Sequence, residues 1–161
     1  MWRFTIVLLT MAGTAQALDC TGAQLRFVES APRDRFELTV GREDLAQVTI
    51  DLRGSAGKLI FDTAAGGTGV EVFQPLRDEG GANASDVADG AEVITVTLRD
   101  AQAGGRAAFS IDVDDRLTSS DLGQIRVTGG EMAGAVATFH TADGRTETAV
   151  FDNRNRAQVC P

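Results

Sequence analysis

Val48-Thr49-Ile50-Asp51-Leu52-Arg53 sets apolar and polar side chains in strict turn. Successive side chains of an extended strand point to opposite faces, so a period of two reads as a strand with one buried and one wetted face. The same alternation runs through Phe36-Glu37-Leu38-Thr39-Val40, and Leu25 and Val28 flank Phe27 in an opening run from Gln24. Further runs occupy residues 58–62, 69–74, 91–99, 106–114, 123–128, 134–141 and 146–151, with a last short one near 157–159. About ten half-buried strands at this spacing predict an all-β, antiparallel β-sandwich. Periodicity leaves immunoglobulin-like and jelly-roll topologies open.

Helical spacing of apolar residues is nearly absent, and the 18 glycines sit mainly between the alternating runs as turn formers. Ala64-Ala65-Gly66-Gly67-Thr68-Gly69 reads as a turn; it lacks the Lys-Ser/Thr of a phosphate loop. Asp143-Gly144 reads as a tight hairpin between two strands. Residues 77–90, rich in Gly, Asp, Ala and Asn, form the longest expected loop and the segment most open to proteolysis.

The chain opens with Met1-Trp2-Arg3, a short apolar stretch from Phe4 to Ala12, and small residues ending in Ala15-Gln16-Ala17. That order describes a secretory signal peptide over residues 1–17, leaving a single β-sandwich domain over 18–161. Asp19 before Cys20 does not fit lipid attachment, and no segment nears the roughly 20 apolar residues of a membrane span. The whole chain carries a net −8; loss of the one charged leader residue, Arg3, makes it −9. Nucleic acid and membrane insertion are therefore not expected for the domain as a whole. Cys20 and Cys160 are the only cysteines, and an exported chain meets an oxidising compartment, so they are expected to form a disulfide joining the first strand to the last. With a single histidine to join them, a zinc site is the weaker alternative.

Several segments carry a likeness: Asp34-Arg35-Phe36-Glu37-Leu38, Thr49-Ile50-Asp51-Leu52, Gly54-Ser55-Ala56-Gly57-Lys58-Leu59-Ile60-Phe61-Asp62 and Gly69-Val70-Glu71-Val72-Phe73-Gln74-Pro75. Phe109-Ser110-Ile111-Asp112-Val113-Asp114-Asp115 and Val127-Thr128-Gly129-Gly130-Glu131-Met132-Ala133-Gly134-Ala135 extend it. Together they resemble small exported bacterial proteins labelled "aggregation factor core", over roughly Gln24 to Phe139. The resemblance implies an extracellular or periplasmic β-sandwich with a role in adhesion, and it carries no catalytic residues across.

Within the run at 106–114, Phe109, Ile111 and Val113 are expected to face the core. Asp112 and Asp114 would then share the outer face, about 6.5–7 Å apart. Asp115 starts the following loop and Asp121 ends it, so Asp112, Asp114, Asp115 and Asp121 form a candidate calcium site of clustered carboxylates. The competing reading is an ordinary solvated acidic face paired with Arg116 or Arg126. Neither an EF-hand loop nor a glycine-rich calcium-binding repeat is present.

Catalytic signals are sparse. His140 lies in an alternating run with no Gly-x-Ser-x-Gly elbow anywhere in the chain, and reads as a satisfied strand histidine. Paired carboxylates could serve glycoside hydrolysis. However, the chain has no tyrosine and its only tryptophan, Trp2, lies in the leader, so the usual platforms for sugar rings are missing. Asn83-Ala84-Ser85 matches the glycosylation triplet, which is frequent by chance. The expectation is an exported, non-enzymatic interaction module for an extracellular or periplasmic protein or glycan, in adhesion or aggregation. A periplasmic chaperone or assembly factor and a carboxylate-dependent hydrolase are the alternatives.

Overall fold

The structure, a computed structural model, describes residues 20–30, 34–70, 73–83, 85–119 and 122–160. The leader at 1–17 and Asp121 lie outside the described residues. Eleven strands are described: β1 (Gln24–Val28), β2 (Arg35–Thr39), β3 (Leu45–Asp51), β4 (Ile60–Asp62), β5 (Arg77–Gly80), β6 (Val93–Ala101), β7 (Arg106–Ser110), β8 (Asp112–Asp114), β9 (Val136–Thr141), β10 (Thr146–Val150) and β11 (Arg156–Gln158). A single turn of helix, α1 (Gly129–Met132), precedes β9.

Every pairing is antiparallel. One sheet runs β11-β1-β2-β7-β5, a second β10-β9-β3-β6, and β4 and β8 form a separate two-stranded ribbon. Alternation decides which side of each sheet is covered: Leu25, Phe27, Phe36, Leu38 and Phe109 of the first sheet share one core with Val48, Ile50, Val96, Ala137 and Phe139 of the second. Phe36 anchors it, stacked on Phe109 at 5.3 Å, tilted against Phe27 at 5.1 Å and edge-on to Phe151 at 6.5 Å. The all-β sandwich read from the periodicity is the observed architecture. Cys20 and Cys160 are bonded, with Cα atoms 4.5 Å apart, at the open end of the β1–β11 pair. Among the described residues no helix is long and apolar enough to cross a membrane.

Four expectations need correction. The run at 106–114 is not one strand: it breaks at Ile111, leaving β7 in the first sheet and β8 in the ribbon. The break is made by Asp34, whose carbonyl accepts from Ile111 N–H at 3.2 Å while its carboxylate accepts from Val113 N–H at 3.1 Å. The described parts of 69–74 contain no strand, and Phe73 is exposed. The segment at 123–128 turns and delivers Thr128 as the cap of α1, where its hydroxyl accepts from Glu131 N–H and the Glu131 carboxylate accepts from Thr128 N–H. Part of the expected loop at 77–90 is β5, an edge strand exposed at all four positions. The Asp143-Gly144 hairpin is present, with Gly144 at φ +89° closing β9 onto β10.

Candidate metal centre

The β4–β8 ribbon brings three carboxylates to one place. Asp62 and Asp112 face each other in register, and Asp114 stands two residues further along β8, opposite Ile60. Cross-strand partners share a face, as do residues two apart on a strand, so all three project to the same side. One oxygen from each lies within 4.8 Å of the others. All three are buried, Asp62 and Asp112 at 3% exposure and Asp114 at 1%. The sequence explains the depth of Asp62: Leu59, Ile60 and Phe61 before it are all fully buried, so the strand is covered on both sides up to its last residue.

The turn at 63–70 closes over these carboxylates. Val70 N–H donates to Asp114 Oδ2 at 2.7 Å. Gln74 N–H donates to the Asp62 carbonyl, and Asp112 N–H to the Gln74 carbonyl, each at 3.2 Å. A Cβ at Gly69 would sit 2.3 Å from Oδ2 of both Asp62 and Asp114, so the backbone can pass this close only without a side chain. Asp89 pins the turn from outside, accepting from Thr63 N–H at 3.1 Å and from Thr68 N–H and hydroxyl, both at 2.7 Å. Those bonds, the Thr68 hydroxyl first, hold the Asp89 carboxyl below the usual carboxylate range.

Among the described residues counter-charge is missing. Asp62 Oδ1, Asp112 Oδ2, Asp114 Oδ1 and Asp115 Oδ2 are buried and accept no hydrogen bond. Among the described residues no arginine or lysine pairs with any of the four. Burial pushes the Asp112 carboxyl up to about 7, with the charges of Asp114 and Asp62 adding to it. Burial also pushes Asp114 up to about 6 and raises Asp62. Asp34 is pushed up to about 8 by burial, and the charge of Asp112 contributes. Carboxylates so placed must take up protons or a cation, because an uncompensated buried charge is far too costly. Their oxygens are hard donors, which suit calcium rather than zinc or copper, and calcium can complete about six to eight oxygen ligands with carbonyls and water.

The expected outer acidic face is therefore corrected in its burial. Asp112 and Asp114 come together, but inside the protein. Asp115 is buried next to them, with Oδ1 accepting from Leu117 N–H at 2.9 Å, and it falls outside the group of three. Asp121 lies outside the described residues. Asp62 joins Asp112 and Asp114; the signal that could have found it is the unbroken apolar run ending in an acid. The expected partners are engaged elsewhere, Arg116 with Glu92 at 2.6 Å and Arg126 with Glu29 at 2.7 Å. His140 Nε2 meets Thr49 Oγ1 at 2.9 Å on the outer face of the second sheet, as a satisfied strand histidine should.

No protein-family model matches the chain, and no curated protein is significantly similar to it.

Proposed function

We propose that the chain is an exported, non-enzymatic β-sandwich interaction module whose β4–β8 ribbon is clamped by a buried calcium ion at Asp62, Asp112 and Asp114. The observation that carries the clamp is the meeting of these carboxylates within 4.8 Å, buried and, among the described residues, without a basic partner. The leader-like residues 1–17 and the Cys20–Cys160 bridge support export. The resemblance to aggregation-factor-core proteins supports an adhesive setting. The edge β10 carries Thr146, Glu147 and Thr148 with Val150 as its single exposed large apolar residue rather than an apolar row, which favours the module over the chaperone alternative.

A ligand that binds only the folded state stabilises it by mass action, by about 2.7 kcal/mol at a hundred times its dissociation constant. The test is thermal unfolding of the oxidised protein in millimolar calcium and in chelator at matched ionic strength. A higher melting temperature in calcium is expected, with the difference abolished in Asp112→Asn, Asp114→Asn. Coincident melting curves for the unsubstituted protein would remove the clamp.

A further inference from the structure

The outward face of the five-stranded sheet has a charge opposite to that of the chain. Register places its side chains in three rows across the strands: Arg156, Arg26, Glu37, Ala108 and Gly80 in one; Gln158, Gln24, Thr39 and Arg106 in the next; Val28, Arg35, Ser110 and Arg77 in the third. Residues directly opposite each other in an antiparallel pair lie on the same face, as do alternate residues of each strand. Five arginines thus share one face with two acids, Glu37 and the β5 residue Glu79, in a chain whose acidic residues outnumber its basic ones by 23 to 15.

Two features set this face apart from a solvated surface of mixed charge. Arg26 and Arg156 are direct cross-strand partners, an arrangement that costs stability and that folding alone does not require. Arg26 and Arg35 share the single carboxylate of Glu37, while Arg77, Arg106 and Arg156 form no ion pair among the described residues. The face is also concave. Small residues, Ala108 and Gly80, line an open groove of about 470 Å³, with Arg26, Arg35 and Arg106 and the acids Glu37 and Glu79 along it.

We propose that this groove binds an acidic polysaccharide, gripping the carboxylates of its uronate sugars with Arg26, Arg35 and Arg106. The assignment rests on the reading of the chain as an exported interaction module and gives that module its partner class. The guanidinium fork matches a carboxylate bidentately. Gln24, Thr39 and Gln158 stand beside the arginines and offer hydrogen bonds to sugar hydroxyls. A polymer with one charge per sugar or fewer suits a local basic strip in an acidic protein. Duplex DNA, with a charge every ~1.7 Å of axis, would meet the surrounding negative field. A membrane surface is disfavoured because none of the exposed large apolar residues, Phe73, Val93, Leu122, Ile125 and Val150, belongs to a strand of this sheet.

The experiment is affinity electrophoresis of the oxidised protein, in calcium, through gels containing sodium hyaluronate, neutral dextran or duplex DNA. Retardation by hyaluronate alone, relieved by salt, is expected, and Arg26→Ala, Arg106→Ala should weaken it at least about tenfold, as loss of charge-assisted bonds does. No retardation by hyaluronate, equal retardation by dextran, stronger retardation by DNA, or a double variant that binds like the parent would each overturn the assignment. Melting of the same double variant separates this outcome from the clamp, since neither arginine is among the three carboxylates' neighbours. Loss of hyaluronate binding with the calcium shift intact shows a folded protein and supports the groove. A missing calcium shift with arginine-dependent binding intact supports the groove as well and removes only the clamp.

Discussion

The carboxyl of Asp34, immediately before β2, accepts the backbone N–H of Val113 in the middle of β8, at 3.1 Å and across 79 residues of sequence. Asp34 thereby belongs to the first sheet by its position and to the ribbon by its side chain, and it fixes where the chain leaves one for the other.

Replacing Asp34 tests that role. With its pKa pushed up to about 8, the Asp34 carboxyl is mostly neutral at pH 7, so Asp34→Asn, which keeps an acceptor oxygen, should change stability by less than about 1 kcal/mol. Asp34→Ala strands the buried Val113 N–H and should cost about 1–3 kcal/mol. Urea denaturation followed by circular dichroism measures both; equal losses for the two variants would show that the hydrogen bond does not hold the crossing.

Proton linkage around the ribbon has a definite sign. Asp34, Asp112 and Asp114 have folded pKa values of about 8, 7 and 6, all raised above the unfolded value. The folded state therefore binds more protons than the unfolded state between about pH 4 and pH 8, and in chelator stability is greatest at the acidic end and falls as pH rises through these values. Calcium takes over as the compensating charge once the protons leave, so its stabilisation should grow over the same interval. Melting temperatures from pH 5 to pH 8, with calcium and with chelator, should diverge as pH rises. A chelator curve that climbs toward pH 8 would contradict the raised carboxylates.

Gly69 and Gly66 provide a matched pair. Alanine at Gly69 would push its Cβ against both Asp62 and Asp114, lifting the 63–70 turn off the carboxylates, and should weaken calcium binding by about tenfold or more, as loss of one or two ligating contacts would. Alanine at Gly66 meets nothing within 4 Å but must adopt φ +67°, so it should cost about 1 kcal/mol of stability and leave calcium affinity unchanged. Calorimetric titration of both proteins distinguishes steric intrusion at the site from general strain.

Cys20→Ser opens a loop spanning 140 residues, for which chain entropy sets an upper loss of about 5 kcal/mol. The expected outcome is a lower denaturation midpoint matching that of the reduced parent, with the calcium shift retained, because the bridge lies at the β1–β11 end and takes no part in the ribbon.

What could be read from the residues depended on whether burial was one-sided. β2, β3 and β9 each cover one face and wet the other, so Phe36, Leu38, Val48, Ile50, Ala137 and Phe139 announced themselves. β5 shows no pattern because Arg77, Asp78, Glu79 and Gly80 are all exposed; its place comes from backbone pairing to β7, which leaves no trace in side-chain chemistry. The alternation at 69–74 and 123–128 misled because apolar spacing does not supply a neighbouring strand, and Phe73 and Ile125 end up exposed. The carboxylates were noticed but set on the wrong side, since extrapolating from Phe109 through Val113 assumes one flat strand where Asp34 bends the chain into a second layer. Asp62 went unread because its partners are 50 residues away, across a pairing that only the folded chain creates.

The bridge between Cys20 and Cys160 joins two points whose Cα atoms are 4.5 Å apart. Tension applied between the segments flanking these residues would pass from one to the other through a covalent bond. Neither sheet would lie in the load path, and the buried ribbon would be shielded from shear. Under that load the chain would yield at its tethers before it unfolded, and a reducing environment would convert it from a rigid rivet into an extensible strand.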